Sequence, residues 1–190
     1  MHKFRFALPA IAAQLLLASA IPGTFAQSTP QPSADAGQQT RGIKSLSDQD
    51  VDDLLAGRGA GFAQAAELNG YLGPAHVQEL REPLQLSDAQ LSATEALMAR
   101  QLVAARRIGR DLVASERSLD QAFGSHSADE ASVGTLTATI ARFRGELRAE
   151  HRRTHLAHTT LLTTAQVQRY AQLRGYAKPE AEPAHLHHHH

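Results

Sequence analysis

The sequence predicts an all-α fold built on one long antiparallel helical hairpin with short flanking hook helices. Three observations lead to this fold. No stretch of the 190 residues alternates polar and apolar side chains with the period of two that marks a half-buried strand. Apolar residues instead recur every three or four positions, between clear capping signals. Aromatic residues make up only 5% of the chain and tryptophan is absent, so the core must come from Leu, Val, Ile and Ala, which suits helices better than sheets.

The first 26 residues have the features of a cleavable export signal. Lys3 and Arg5 form a basic start, and an apolar stretch runs from Phe6 to Ile21. That stretch is shorter than the ~20 apolar residues that a membrane span needs. Small residues up to Ala26 then suit signal cleavage. We therefore expect residues 1–26 to be removed, leaving a periplasmic protein without a membrane span.

Two polar segments flank the predicted domain. Residues 27–45 are rich in Gln, Ser, Pro and Gly, so we expect a flexible linker. The helical domain then covers residues 46–176. Residues 177–190 form a flexible tail that ends in a run of histidines, which is either native or an expression tag.

Short helices precede the hairpin. Ser47, followed by acidic residues, caps a helix that runs to about Ala56. Glycines then form a joint before a second short helix over residues 62–69. Gly73-Pro74 begins a third, which Pro83 ends.

Three capping boxes delimit the longer helices. Ser87-Asp88-Ala89-Gln90 opens a helix that runs to about Phe123, Ser127-Ala128-Asp129-Glu130 opens the next, and Thr163-Thr164-Ala165-Gln166 opens a last one that ends at Gly175. The turn between the two long helices is short, so they must pack antiparallel. The second long helix carries a heptad seam of Val133, Leu136, Ile140, Phe143 and Leu147.

One hairpin has too little interior for a full core. Its second apolar side needs either the flanking short helices, giving a monomeric four-helix bundle, or another copy of the chain. We predict a homodimer.

Histidine is the residue type that suggests chemistry, with 11 copies against no cysteine. His151, His155 and His158 lie at positions i, i+4 and i+7, which places them on a narrow stripe beside the apolar seam of one helix. An i, i+4 histidine pair can bind one metal ion. The alternative is a solvated or interfacial polar stripe.

Two further residues are candidate ligands. Equal rise along both helices places Met98 opposite residue 158, and a thioether beside imidazoles suits a soft or borderline ion; the alternative is core filler. His76 on the third short helix is either a ligand or a polar residue at a helix start. The predicted metal site is therefore His151, His155, His158, Met98 and His76, for Ni, Co, Cu or Zn. We expect no organic cofactor.

Several function classes are excluded or disfavoured. A net charge of zero argues against a nucleic-acid binder. The chain has no cysteine nucleophile, no Gly-x-Ser-x-Gly and no nucleotide loop, so we do not expect an enzyme. The second long helix is rich in arginine, which gives either a surface for unfolded chains and anionic partners or a charged outer face paired with glutamates.

Two segments resemble motifs of a known family. They are Leu84-Gln85-Leu86-Ser87-Asp88-Ala89-Gln90 and Leu161-Leu162-Thr163-Thr164-Ala165-Gln166. They resemble the paired LTxxQ motifs of the Spy/CpxP-like periplasmic proteins, which include chaperones and heavy-metal sensors of the CnrX and ZraP type. The segments Ala65–Val77, Leu147–Leu156 and Arg169–Tyr176 also look like an exported LTxxQ branch with a His-bearing helix. The resemblance covers about residues 54–176.

The resemblance implies a hooked helical hairpin, usually a cradle-shaped dimer, with an ATP-independent role in envelope or metal stress. The chain departs from the pattern because Ser87 replaces Thr, Gln85 splits the first apolar pair, and the methionine-rich character of some chaperone members is absent. The last of these departures argues against a broad methionine-lined client surface and against a Cu(I) storage role.

Our leading hypothesis is a non-enzymatic periplasmic stress-response protein that senses or buffers a divalent heavy metal. The bound ion would fix one state of the hairpin or dimer, and a membrane-bound signalling partner would read that state. The alternative is an ATP-independent holding chaperone that binds unfolded client proteins without metal. A third possibility is an inert helical envelope component. In this hypothesis His151 and His155 are the main ligands, and His158, Met98 and His76 are lesser candidates. The most informative observation is whether Met98 and His76 approach the face of His151 and His155.

Overall fold

A computed structural model describes residues 31–177, and this part of the chain is all helical, as predicted. Its helices are α1 (Asp48–Ala56), α2 (Gln64–Glu67), α3 (Pro74–Glu79), α4 (Asp88–Gly124), α5 (Glu130–Thr159) and α6 (Thr164–Leu173). The long helices α4 and α5 pack against each other as an antiparallel hairpin, and α1 packs on α4. The predicted signal peptide and residues 178–190 of the tail lie outside the described residues.

The chain divides into two units, Met1–Ala36 and Gly37–His190. Of the first unit, the described residues 31–36 are exposed and include a turn in which the Ala36 amide donates to the Ser33 carbonyl at 3.0 Å. All helices belong to the second unit.

Reciprocal capping boxes fix the starts of α1, α4 and α6 at the predicted residues Ser47, Ser87 and Thr163. The predicted start of α5 was wrong. Its box joins Asp129 to Ser132 instead of beginning at Ser127. The reason is that the amides of Ser127 and Ala128 both donate to the Ala122 carbonyl, so these residues still complete the end of α4.

The glutamines of the two LTxxQ-like segments meet each other. Gln90 Nε2 donates to Gln166 Oε1 at 2.9 Å, and Gln166 Nε2 donates to Gln90 Oε1 at 3.0 Å. Each amide also donates to a backbone carbonyl of the other segment, Leu161 and Leu84 respectively. The pair therefore fastens the start of α6 to the start of α4.

Within residues 31–177 the apolar core forms two clusters. The first joins α1, α4 and α5 with the segment before α1, and Phe62 packs against it. The second gathers Leu72, Val77, Leu84 and Tyr170, and so joins the α2–α3 segment to α6. The first cluster thus packs α1 against the hairpin, and the second packs α3 against α6.

The segment before α1 differs from the prediction, which made it a flexible linker up to Ser45. Ile43 and Leu46 are buried in the first cluster. The Lys44 amide donates to Asp120 at 3.1 Å and the Ser45 hydroxyl donates to Glu116 at 2.8 Å, both on α4. Ile43 lies inside the predicted linker of residues 27–45, whereas Leu46 lies in the predicted domain. The linker prediction was therefore wrong at its C-terminal end, where Ile43 packs into the first cluster.

The seam of α5 is buried unevenly. Ile140 and Leu147 are buried, whereas Val133, Leu136 and Phe143 are half-buried. Val103 on α4 and Phe123 near the hairpin turn are 72% and 57% exposed. These exposures are those of a single chain, so the homodimer stays a prediction. No helix in the described range 31–177 is long and apolar enough to cross a membrane.

Candidate functional site

Most of the predicted ligands lie around one cleft where the α2–α3 segment meets the hairpin. His76, Met98, His151 and His155 line a cavity of about 460 Å³. An adjoining cavity of about 500 Å³ shares the three histidines and adds Glu67 and Tyr176. We call the region lined by Glu67, His76, His151 and His155 the histidine cleft. Met98 and His76 thus line the same cavity as His151 and His155.

His155 is oriented by the backbone of the loop that it faces. Its Nδ1 lies 2.8 Å from the Tyr71 carbonyl oxygen, which can only accept, so Nδ1 carries the proton. The lone pair is thus on Nε2. A metal-binding histidine typically has its other ring nitrogen bonded to a carbonyl or carboxylate in this way.

His151 is held by a neighbour on each side. Gln101 on α4 donates its amide to Nδ1 at 3.0 Å, and the Phe62 ring stacks on the imidazole with centroids 5.6 Å apart. Burial, with a smaller contribution from the charge of His155, lowers the pKa of His151. The ring is therefore neutral near pH 7, the form in which imidazole binds a metal.

Glu67 is the functional candidate that sequence reasoning missed. Its side chain is only 8% exposed. Tyr170 donates its hydroxyl to Oε1, and the Gly73 amide donates to Oε2 at 2.9 Å. His76 Nδ1 lies 3.5 Å from Oε1 and His155 Nδ1 lies 3.6 Å from Oε2. A buried carboxylate thus stands between two histidines from different helices.

Tyr170 stays protonated as the donor of this pair. Burial raises the pKa of its phenol above the ordinary value, and the neighbouring Glu67 raises it further. Its ring is buried in the second core cluster, so the hydroxyl is the part of the side chain that reaches the cleft.

Gly73 leaves a small space inside the cleft. A Cβ at this position would lie 3.0 Å from His155 Nε2 and 3.2 Å from Glu67 Oε2. The backbone φ of −76° is ordinary for any residue, so the glycine is required for space and not for conformation. The free lone pair of His155 and one carboxylate oxygen therefore border the same gap.

His158 does not line the cleft with the other predicted ligands. It is fully buried, its Nδ1 donates to the Leu72 carbonyl at 3.0 Å, and its Nε2 lies 3.2 Å from the Thr94 hydroxyl. Because both nitrogens are engaged, His158 connects the loop before α3 to the hairpin. Thr94 stands where Met98 was expected, so the predicted register of the hairpin was wrong by one helical turn.

The donor types fit a borderline divalent cation. The cleft offers imidazole nitrogens, a carboxylate and the Met98 thioether. Two ligands of a tetrahedral ion with bonds of about 2.1 Å lie about 3.4 Å apart. The separation of 3.5 Å between His76 Nδ1 and Glu67 Oε1 is close to this value. The 3.6 Å distance from Glu67 Oε2 to His155 ends at the protonated Nδ1, so His155 would bind through Nε2 instead. Even so, residues 31–177 contain no formed group of three or more His, Asp or Glu side chains that could hold a metal ion.

The local sequence explains why the site forms here. Gly70, with a φ of +84°, ends the turn after α2, and Gly73-Pro74 begins α3 three residues later. This tight sequence of turns brings Glu67 back towards His76. A glutamate followed closely by two glycines is the signal that could have identified the carboxylate.

Comparisons of this chain with family models, with curated proteins and with solved structures give no match.

Proposed function

We propose that this protein is a non-enzymatic periplasmic stress-response protein of the Spy/CpxP type that senses or buffers a divalent heavy-metal ion. The observation that carries the proposal is the buried Glu67 between His76 and His155, in a cleft that Met98 and His151 also line. Glu67, His76 and His155 would hold the ion, and Met98 is an additional donor. His151 would become a donor only on releasing the amide of Gln101 from its Nδ1. Nickel, cobalt, copper and zinc are the ions that this donor set suits.

A purely structural role explains the cleft less well. Buried carboxylates are costly unless their oxygens are well bonded. Here each oxygen of Glu67 has one neutral donor, while the nearest histidine nitrogens stand at 3.5 and 3.6 Å, beyond good hydrogen-bond distance. A cation beside this carboxylate would add a contact to Glu67 and would also accept the free lone pair on Nε2 of His155.

The distribution of the donors supports sensing. Glu67 is on α2, His76 on the six-residue α3 and His155 on α5. His76 is 42% exposed, so its side chain has room to move. A cation that needs all three would favour one arrangement of α2 and α3 on the hairpin, which is how a ligand shifts a conformational equilibrium.

Calorimetric titration with Ni²⁺, Co²⁺, Cu²⁺ and Zn²⁺ tests the proposal. The chain should carry serine in place of His185 and of residues 187–190, so that the tail contributes no imidazole. We expect at least one ion to bind with one-to-one stoichiometry and His155→Ala to lower its affinity at least about tenfold. His126→Asn is the matched control, because His126 lies in the exposed hairpin turn. Absence of binding, or unchanged affinity in His155→Ala, contradicts the site.

A second candidate function is the metal-independent holding chaperone. Leu156, Leu68 and Tyr71 are 49%, 59% and 42% exposed, and Leu156 follows the exposed Arg152 and Arg153 on α5. Apolar side chains beside guanidinium groups suit unfolded chains. Suppression of the aggregation of a denatured client in the presence of a chelator would favour this function over metal sensing.

A further inference from the structure

Helix α6 is attached to the rest of the molecule at two places. Its start is fastened by the pair of Gln90 and Gln166. Of the ten residues of α6, all of them described, only Tyr170 is buried. The attachment of the second half of the helix therefore depends on this side chain.

Tyr170 links two different environments. Its ring is 1% exposed and packs with Leu72, Val77 and Leu84. Its hydroxyl donates to Glu67 Oε1 on α2. The same side chain thus docks α6 through the ring and contacts the histidine cleft through the oxygen.

The hydroxyl also fixes the orientation of Glu67. With Tyr170 on Oε1 and the Gly73 amide on Oε2, the carboxylate cannot rotate without losing a hydrogen bond. In this orientation Oε1 faces His76 and Oε2 faces His155. Donors of this kind hold a metal-binding carboxylate in place, and their removal typically weakens binding about 10- to 100-fold.

We infer that Tyr170 couples the docking of α6 to the occupancy of the histidine cleft, so that a cation bound there holds the second half of α6 in place. The inference rests on the proposed function, since it requires a cation at Glu67. Coupling between two sites is reciprocal. A bound cation must therefore strengthen α6 docking by the same factor by which the docked Tyr170 strengthens cation binding.

Hydrogen exchange in the unaltered chain gives the first test and needs no variant. We expect a saturating concentration of the tightest-binding ion from the titration to slow exchange of the amides at the end of α6, residues 170–174, about 10- to 100-fold. The amides beside Gln166 provide the internal reference. Equal exchange with and without bound cation overturns the inference and leaves the proposed function intact, whereas absence of any cation binding removes both.

Tyr170→Phe gives the second test, because it keeps the buried ring and removes the hydroxyl. We expect its cation affinity to fall about 10- to 100-fold and the cation to lose its effect on α6 exchange. Tyr71→Phe is the matched control, because it also removes a phenol hydroxyl but the Tyr71 side chain is exposed and does not line the histidine cleft.

A double-mutant cycle separates positioning from a general structural effect. If Tyr170 acts through the carboxylate, Tyr170→Phe causes no further loss of cation affinity in a Glu67→Gln background. An equal fold-loss in both backgrounds overturns the positioning role of Tyr170.

Discussion

The narrow space beside Gly73 predicts that one added methyl group at this position lowers cation affinity. Gly73→Ala would place a carbon within 3.2 Å of both His155 Nε2 and Glu67 Oε2. We expect cation affinity to fall about tenfold or more, as for other disturbances of ligand positions. The cost in unfolding free energy should stay within about 1–3 kcal/mol, because the backbone conformation suits alanine and the histidine ring can shift.

Calorimetric titration and urea unfolding check this prediction, with Gly145→Ala as the control. Gly145 lies inside α5 with open space around its Cβ position. Its replacement should raise stability by up to about 1 kcal/mol and leave cation affinity unchanged. A Gly73→Ala protein that binds the cation as tightly as the original chain would show that the gap is not part of the site.

The burial of His158 predicts that the folded protein loses stability in acid. Burial lowers the pKa of His158 below the ordinary histidine value of 6.5 and outweighs the opposite effect of the Leu72 carbonyl. The unfolded chain therefore takes up a proton at a higher pH than the folded chain does. The neutral ring contributes its stability fully above pH 6.5, and that contribution is lost as the pH falls from 6.5 towards the folded-state pKa.

Urea unfolding at about pH 7.5 and about pH 5.5 measures this effect. The free energy of unfolding should be smaller at the lower pH. His158→Gln should reduce the difference, while His126→Asn should leave it unchanged. His151 also has a lowered pKa and contributes to the same slope, so the part due to His158 is the change between the chain and its variant. An unchanged slope in His158→Gln contradicts the prediction.

At the scale of the helices, α1 crosses α4 at a glycine. A Cβ on Gly109 would lie 2.1 Å from the Leu54 carbonyl oxygen. Replacing a glycine inside an exposed helix by alanine normally raises stability by about 1 kcal/mol. For Gly109→Ala we expect the opposite sign, a loss of at least about 1–3 kcal/mol, because α1 would have to move away from the hairpin.

Urea unfolding of Gly109→Ala beside Gly134→Ala checks the close approach. Gly134 lies inside α5 with no neighbour near its Cβ position, so it should show the usual gain. If both variants are equally stabilised, α1 does not touch α4 in this way.

Helix starts could be predicted from the sequence where a capping side chain bonds a backbone amide a few residues away. Ser47, Ser87 and Thr163 satisfy amides within three residues, which a sequence displays directly. The start of α5 depends on the end of α4, because the amides of Ser127 and Ala128 donate to the Ala122 carbonyl. The helix therefore begins with Asp129 as its N-cap and not with Ser127. The register of the hairpin depends on packing between distant residues. Counting an equal rise along both helices from the hairpin loop therefore gave a register that was wrong by one helical turn.

At the scale of the whole molecule, the histidine cleft lies between the two hydrophobic clusters. Phe62 packs on the first cluster and stacks on His151. Tyr170 belongs to the second cluster and bonds Glu67. Helical periodicity identified His151 and His155 as neighbours on one helix. Glu67 lies in the site because two turns follow α2 and because the buried Tyr170 bonds it. The sequence displays no local pattern for such a contact, which spans 103 residues.

The position of the cleft predicts that a bound cation stabilises the molecule as a whole. Because the proposed ligands join α2, α3 and α5, the unfolded chain cannot present them together, so the ion binds the folded state. At a free cation concentration ~100 times Kd, the free energy of unfolding should rise by about 2.7 kcal/mol. Thermal unfolding with Ni²⁺ or Zn²⁺ and with excess chelator measures the change, again with serines at the tail histidines. The rise should disappear in His155→Ala and persist in His126→Asn. If it survives the combined loss of Glu67 and His155, the stabilising ion binds elsewhere in the chain.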